Sequence, residues 1–176
     1  MKKLNKKGFT LIELLAVIVI MGILMVVAIP AVSRTIANTR KDTYINTAKQ
    51  YVNQVKTLWA AAGLNCEGKN SSLTGQGKYY VATDSSDDDL LEEGGKSPWK
   101  AETTGFVLIE RDDKGKNTYS VFLVDANGNV IEGTTPGTAV KFDSLTKSYV
   151  KTNSTAYAGI KDIYGKLGAT RCTVSD

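Results

Sequence analysis

From Phe9 to Val32 the chain runs for 24 residues with one charged side chain, Glu13. As an α-helix this stretch reaches about 36 Å, enough to cross a hydrocarbon layer of roughly 30 Å. Lys2, Lys3, Lys6 and Lys7 stand just before it. Flanking lysines keep that end on the cytoplasmic side of a membrane, so the residues after Ser33 face outward. Two ordinary readings fit so far. One is a signal anchor; the other is a secretory signal peptide cut at the small-x-small triplet Ala31-Val32-Ser33. Cleavable signals carry an apolar region of about 7–15 residues, and this one is much longer.

Neither reading explains Glu13. A carboxylate inside an apolar span costs roughly 2.5–3.5 kcal/mol on insertion scales, which makes it a functional candidate by default. Its partner must be a cation lying in the same apolar layer. Within one helical turn only an amine at position 9 qualifies, and that amine exists only if the chain is cut after Gly8. A plain anchor, on this reading, has no use for the residue.

The run Lys6-Lys7-Gly8-Phe9-Thr10-Leu11-Ile12-Glu13-Leu14-Leu15 resembles the class III signal of type IV prepilins and the related pseudopilins. The resemblance covers the leader and the N-terminal helix, about a third of the chain. It implies cleavage between Gly8 and Phe9 by a membrane-embedded prepilin peptidase, and N-methylation of Phe9 by the same enzyme. It implies assembly of the mature subunit into a helical filament, with Glu13 pairing with the N-terminal amine of a neighbouring copy. Gly22 and Pro30 also match the family pattern and mark an expected helix break. Pro30 removes one backbone donor and crowds the carbonyl of Val26, weakening the helix between them.

Beyond the span the pattern becomes amphipathic. Tyr44, Ala48, Tyr51, Val52, Val55, Leu58, Trp59 and Ala62 recur at helical spacing, with Arg40, Lys41, Lys49 and Lys56 for the outer side. The helix is expected from about residue 9 to 63, with Gly63 as the residue that ends it. Residues 64–105 read as an irregular connection with one strand at Tyr79-Tyr80-Val81. Strands are then expected at Phe106–Ile109, Thr118–Val124 and Asn129–Glu132, joined through Asp112-Asp113-Lys114-Gly115 and through Asn127-Gly128, a tight primed hairpin turn. Ala139–Phe142 reads as a further strand, and Tyr157, Ile160, Tyr164 and Leu167 as a short helix. The fold class is therefore α+β: a long N-terminal α-helix packed on an antiparallel β-sheet, as the pilin resemblance also implies. The organisation is a cleaved leader (1–8), a hydrophobic transmembrane and filament-core helix (9–33), an amphipathic stem (34–63) and a globular head (64–176).

Cys66 and Cys172, the two cysteines of the chain, both fall on the outer side, where disulfides persist. A bond between them is the expectation and two free thiols the alternative. Such a bond would tie the C-terminal region to the end of the helix.

Other chemistry is scarce. The chain has no histidine, which excludes His-based catalytic triads and His metal sites. The formal charge of +4 equals that of the four leader lysines, so it gives no nucleic-acid footprint. The acidic run Asp87-Asp88-Asp89 with Glu92 and Glu93 is read as a solvated loop rather than a calcium site. Asp125, Asn127 and Asn129 imitate the start of a calcium loop, but the glycine and the twelfth position are wrong. The sequons at Asn70 and Asn153 receive no role. No enzyme activity, metal or cofactor is expected. The expected partners are other pilin subunits, the prepilin peptidase, the cytoplasmic membrane and the assembly machinery, with the cell surface as the destination. A type II secretion or competence pseudopilin is the nearest alternative, and a monomeric membrane-anchored extracellular binding domain the more distant one.

Overall fold

The computed structural model describes residues 9–67, 76–83, 90–91, 96–152 and 160–174. The chain divides into two compact units, Met1–Thr39 and Arg40–Asp176. One helix, α1 (Leu11–Ala60, 50 residues), contributes to both.

In the first unit, residues 9–39 have no buried position. Large apolar side chains from Phe9 to Ile36 are all exposed. In the single subunit α1 is α-helical through Gly22 and Pro30; the break that the resemblance implies belongs to the assembled filament. Pro30 removes a single donor, a local cost of about 3 kcal/mol, while the turns on either side keep their own bonds. A Cβ built on Gly22 would meet nothing within 4 Å, so nothing in the isolated subunit requires glycine there.

The second unit starts where the helix acquires something to bury. Between Arg40 and Ala60, Tyr44, Ile45, Ala48, Tyr51, Val52 and Val55 are buried. They form the stripe that the spacing predicts. The helix ends in a Schellman arrangement: Gly63 N–H donates to the Leu58 carbonyl at 2.9 Å and Ala62 N–H to that of Trp59 at 3.3 Å. The left-handed residue is Ala62, at φ 54°. The expectation that Gly63 fills that position is therefore off by one, and Gly63 is the residue whose N–H reaches back to Leu58.

Among the described residues the sheet has eight strands: β1 (Leu64–Cys66), β2 (Gly77–Ala82), β3 (Thr103–Arg111), β4 (Asn117–Asp125), β5 (Val130–Ile131), β6 (Val140–Lys141), β7 (Val150–Lys151) and β8 (Thr170–Val174). Their order is β1-β8-β2-β3-β4-β5-β7, with β6 pairing β4. Every pairing is antiparallel except β2 with β8. Alternation assigns the faces. Tyr79, Val81, Val107, Ile109, Val121, Leu123 and Ile131 join the stem stripe of α1 in one core. Tyr80, Phe106, Phe122, Val124 and Val130 form the other, packed against the short helix α2 (Ile160–Lys166). There Tyr164 stacks on Tyr80 with ring centres 5.4 Å apart, and its hydroxyl donates to the Gly105 carbonyl at 3.0 Å. A Cβ on Gly105 would collide with the Phe122 carbonyl oxygen.

The strands of the meander are longer than expected, the Asp112–Gly115 turn stands where it is expected, and the second turn differs in type. Gly128 sits at φ 77° and Asn127 does not have a positive φ. The turn is therefore not a two-residue primed one, since both primed types need a positive φ at the first central residue. Instead, Gly128 N–H donates to Asp125 O at 3.0 Å, and Asp125 N–H to Asn129 O at 2.9 Å. The same geometry recurs in the preceding turn, where Gly115 N–H donates to Asp112 O at 3.2 Å and Asp112 N–H to Lys116 O at 3.0 Å. In both, the leading aspartate Oδ1 accepts from two downstream amides (Lys114 and Lys116; Asn127 and Asn129). This side-chain cap makes a four-residue turn with a left-handed glycine better satisfied than the tighter alternative.

Three strands, β1, β7 and β8, go beyond what the sequence pattern predicts. Ala139–Phe142 shortens to β6, because Phe142–Ser144 turns into a single 3-10 turn. Tyr157 lies outside the described residues; Ile160 and Tyr164 do belong to a short helix.

Candidate functional site

The helix start is set by Thr10. Its carbonyl accepts the first helical bond, from Leu14 N–H at 3.2 Å, which makes Thr10 the N-cap and places Glu13 at the third helical position. Thr10 N–H donates to Glu13 Oε2 at 2.8 Å, and Thr10 Oγ1 donates to the same oxygen at 2.7 Å. Glu13 N–H approaches Thr10 Oγ1 at 3.4 Å. This is a capping box. Among the described residues, Oε1 of Glu13 accepts no hydrogen bond. Glu13 therefore has a local use in any helix that begins here, which corrects the expectation that a plain anchor would have none. Charge and hydropathy do not single out Thr10, although the spacing Thr-x-x-Glu ahead of an apolar run is a signal that could find it.

Phe9 is 86% exposed and stands one residue before the cap. Gly8 and the rest of the leader lie outside the described residues. Beyond the cap runs the exposed apolar stretch, long and apolar enough to cross a membrane, with none of its most apolar window buried.

The second unit holds the disulfide. Cys66 and Cys172 face each other in register across β1 and β8 and are bonded, 106 residues apart in the chain. β8 lies between β1 and β2, so the bond closes the last strand into the sheet rather than pinning a loose tail.

The calcium-like triplet has a different use. Asp125, 4% exposed, accepts from Asn127 N at 2.9 Å and Asn129 N at 2.8 Å on Oδ1, and from Ser97 Oγ at 2.6 Å and Asn129 Nδ2 at 2.8 Å on Oδ2. Its lone pairs are occupied by protein donors, and Ser97 is thereby drawn against the β4–β5 turn. Glu132, 2% exposed, is held by Lys151 Nζ and by Gly137 N–H, at 2.8 and 2.9 Å. Among the described residues no group of three His, Cys, Asp or Glu side chains could hold a metal. The acidic residues Asp87, Asp88, Asp89, Glu92 and Glu93 and both sequons fall outside the described residues.

Two phenols respond to this packing. Burial pushes the Tyr44 hydroxyl far above the usual tyrosine range, and the nearby Asp125 carboxylate adds to the rise. Burial also raises Tyr119, against the opposing bond from Asn117 and the Arg111 charge.

Residues 3–29 match the family model described as a prokaryotic N-terminal methylation motif, a class III signal characteristic of type IV pilins and pseudopilins. The match runs from Lys3 to Ile29 and includes Gly8, Phe9, Thr10 and Glu13. No curated protein and no solved structure matches the chain. The α+β architecture, a long N-terminal helix against a mostly antiparallel sheet, is pilin-like.

Proposed function

We propose that this chain is the precursor of a type IV pilus subunit, cut between Gly8 and Phe9, methylated on Phe9 and polymerised through the helix that begins there. One observation carries the reading most directly. The stretch matched as a methylation motif, residues 3–29, overlaps the one that leaves its large apolar side chains exposed, from Phe9 to Ile36. Exposed apolar area on that scale is unstable in water and marks a surface made for lipid or for other protein. The second unit needs no such partner: among its described residues, no large apolar side chain is exposed. The helix holds the subunit in the cytoplasmic membrane first, then exchanges lipid for the helices of other copies. Its mechanism is packing rather than catalysis. The second reading, a secretion or competence pseudopilin, shares the same signal and the same chemistry, and differs in which machine assembles it.

Processing tests the proposal first. In chain recovered from the native cell, the N-terminus is expected at Phe9 with one added methyl group, by intact mass and N-terminal sequencing. A mature chain starting at Met1, or near Arg34, would contradict it.

A further inference from the structure

We propose that Asn127 is a modification site held closed by the fold: the amide nitrogen of Gly128 converts it to aspartate or isoaspartate only when the turn capped by Asp125 opens.

Asn127-Gly128 is the one Asn-Gly pair in the chain. In such a pair the following amide nitrogen is unhindered, because glycine has no Cβ beside it. That nitrogen gives up its proton and attacks the side-chain carbonyl carbon of Asn127. The new C–N bond closes a five-membered imide, and the side-chain nitrogen leaves as ammonia. Water then opens the imide at either carbonyl, giving aspartate or isoaspartate. Water is the sole co-reactant, nothing is oxidised or reduced, and Asn127 is exposed. Its side-chain amide makes no hydrogen bond among the described residues. Asn129 differs on each count. It is 3% exposed, its Nδ2 donates to Asp125 Oδ2 at 2.8 Å, and the β-branched Val130 follows it.

The turn requires the residue that makes it labile, because Gly128 sits at φ 77°, where any side chain is strained. Protection therefore comes from restraining the nucleophile. Gly128 N–H donates to the Asp125 carbonyl at 3.0 Å, so attack needs that bond to break. On the other side of the asparagine, Asn127 N–H donates to Asp125 Oδ1 at 2.9 Å. Asp125 is itself fixed from outside the turn, where Ser97 Oγ donates to Oδ2 at 2.6 Å. Ring closure rotates the backbone between the two bonded amides, and both bonds oppose it. Reaction also leaves a lasting change. Aspartate at 127 adds a like charge two residues from the buried Asp125 carboxylate, and isoaspartate lengthens the main chain by one carbon inside the turn.

The test uses the detergent-solubilised full chain at mildly alkaline pH, folded and in guanidinium chloride, with Asp125→Asn alongside. That variant replaces an accepting oxygen with a donor beside Asn129 Nδ2. Peptide mass spectrometry in heavy-oxygen water follows conversion at Asn127, and hydrogen exchange follows the Gly128 amide. Folded wild type should convert at least about thirtyfold more slowly than the denatured chain, the scale of two hydrogen bonds, one of them to a charged group. Folded Asp125→Asn, its fold checked by circular dichroism, should convert about tenfold faster than folded wild type. Equal rates in folded and denatured wild type overturn the proposal, as does a denatured chain that never converts at Asn127. So does an Asp125→Asn chain that folds and converts as slowly as wild type. If Asp125→Asn does not fold, wild type in rising guanidinium below its unfolding transition decides. Conversion that rises in step with Gly128 exchange supports the proposal, and conversion independent of that exchange overturns it.

Discussion

The first and second halves of α1 share a backbone conformation and differ in what surrounds them. Between Leu11 and Thr39 no residue is buried; between Arg40 and Ala60 six are. The first half is apolar all round, with Glu13 as its one charge before Arg34. The second half confines its apolar groups to a stripe and carries Arg40, Lys41, Lys49 and Lys56. Lys56 reaches over the Phe142 ring at 3.4 Å rather than into bulk water. A helix that is apolar on every side must be finished by something outside its own chain, whereas a one-sided helix is finished by its own sheet. Secondary structure therefore says little here. The distribution of charge around the helix says which half folds a domain and which half is left for lipid or other protein.

Placing a charge in each half should break this comparison most sharply if it is wrong. Val52→Asp puts an unpaired carboxylate into the fully buried core and should cost more than about 4 kcal/mol, enough to unfold the second unit. Ile18→Asp, at a position 58% exposed, should leave the melting of the second unit unchanged and abolish filament incorporation. Circular-dichroism melts of the detergent-solubilised chain, paired with filament shearing, check both. Equal melting losses would mean that the two halves are not separate in their energetics.

The next effect is covalent. Replacing both Cys66 and Cys172 with alanine removes a cross-link across 106 residues and should destabilise the second unit by about 2–5 kcal/mol. Because β8 sits between β1 and β2, the loss should appear as faster amide exchange in β1 and β8 first, with β3 and β4 protected longest. Uniform exchange throughout the sheet would contradict a disulfide that acts locally on β1 and β8.

Alkali should separate the halves again. Tyr44 keeps its proton in the folded unit and loses it near pH 10 when unfolded. Its raised value in the fold means that this contribution is complete below about pH 10 and is lost as pH rises above it. The slope is about 1.4 kcal/mol per pH unit. Tyr44→Phe should flatten that slope in denaturant titrations between neutral and alkaline pH. An unchanged slope would show that Tyr44 is not the group responsible.

The smallest expected effect is a gain. Ala62→Gly relieves a left-handed alanine at φ 54° and should stabilise the stem end by about 1 kcal/mol. A loss would mean that the methyl group makes a contact that outweighs the strain.

These particulars also mark how far the sequence can be read. The stem stripe, the strands at Tyr79–Val81, Phe106–Ile109 and Thr118–Val124, and the disulfide are legible, because each rests on a regular period or on compartment chemistry. β1, β7 and β8 are not. They have three, two and five residues, too few for a period to declare itself, and they are strands because neighbours offer them an edge. The helix end differs by one residue from expectation, because bond geometry rather than composition selects Ala62. At the candidate site, Glu13 announces itself by its cost in an apolar span. Thr10 does not, because a threonine beside an apolar run carries no charge to explain.

Surface filaments test the central claim most directly, that the exposed half of α1 exists to be buried by other copies. Cells with and without this chain should be sheared, the released material imaged by electron microscopy, and its subunits identified by mass spectrometry. The account predicts filaments that contain this chain, starting at Phe9 and intact through its C-terminus, and that are lost or depleted when it is removed. Finding the chain only as a membrane-held monomer, with identical surface filaments in both cells, would contradict it.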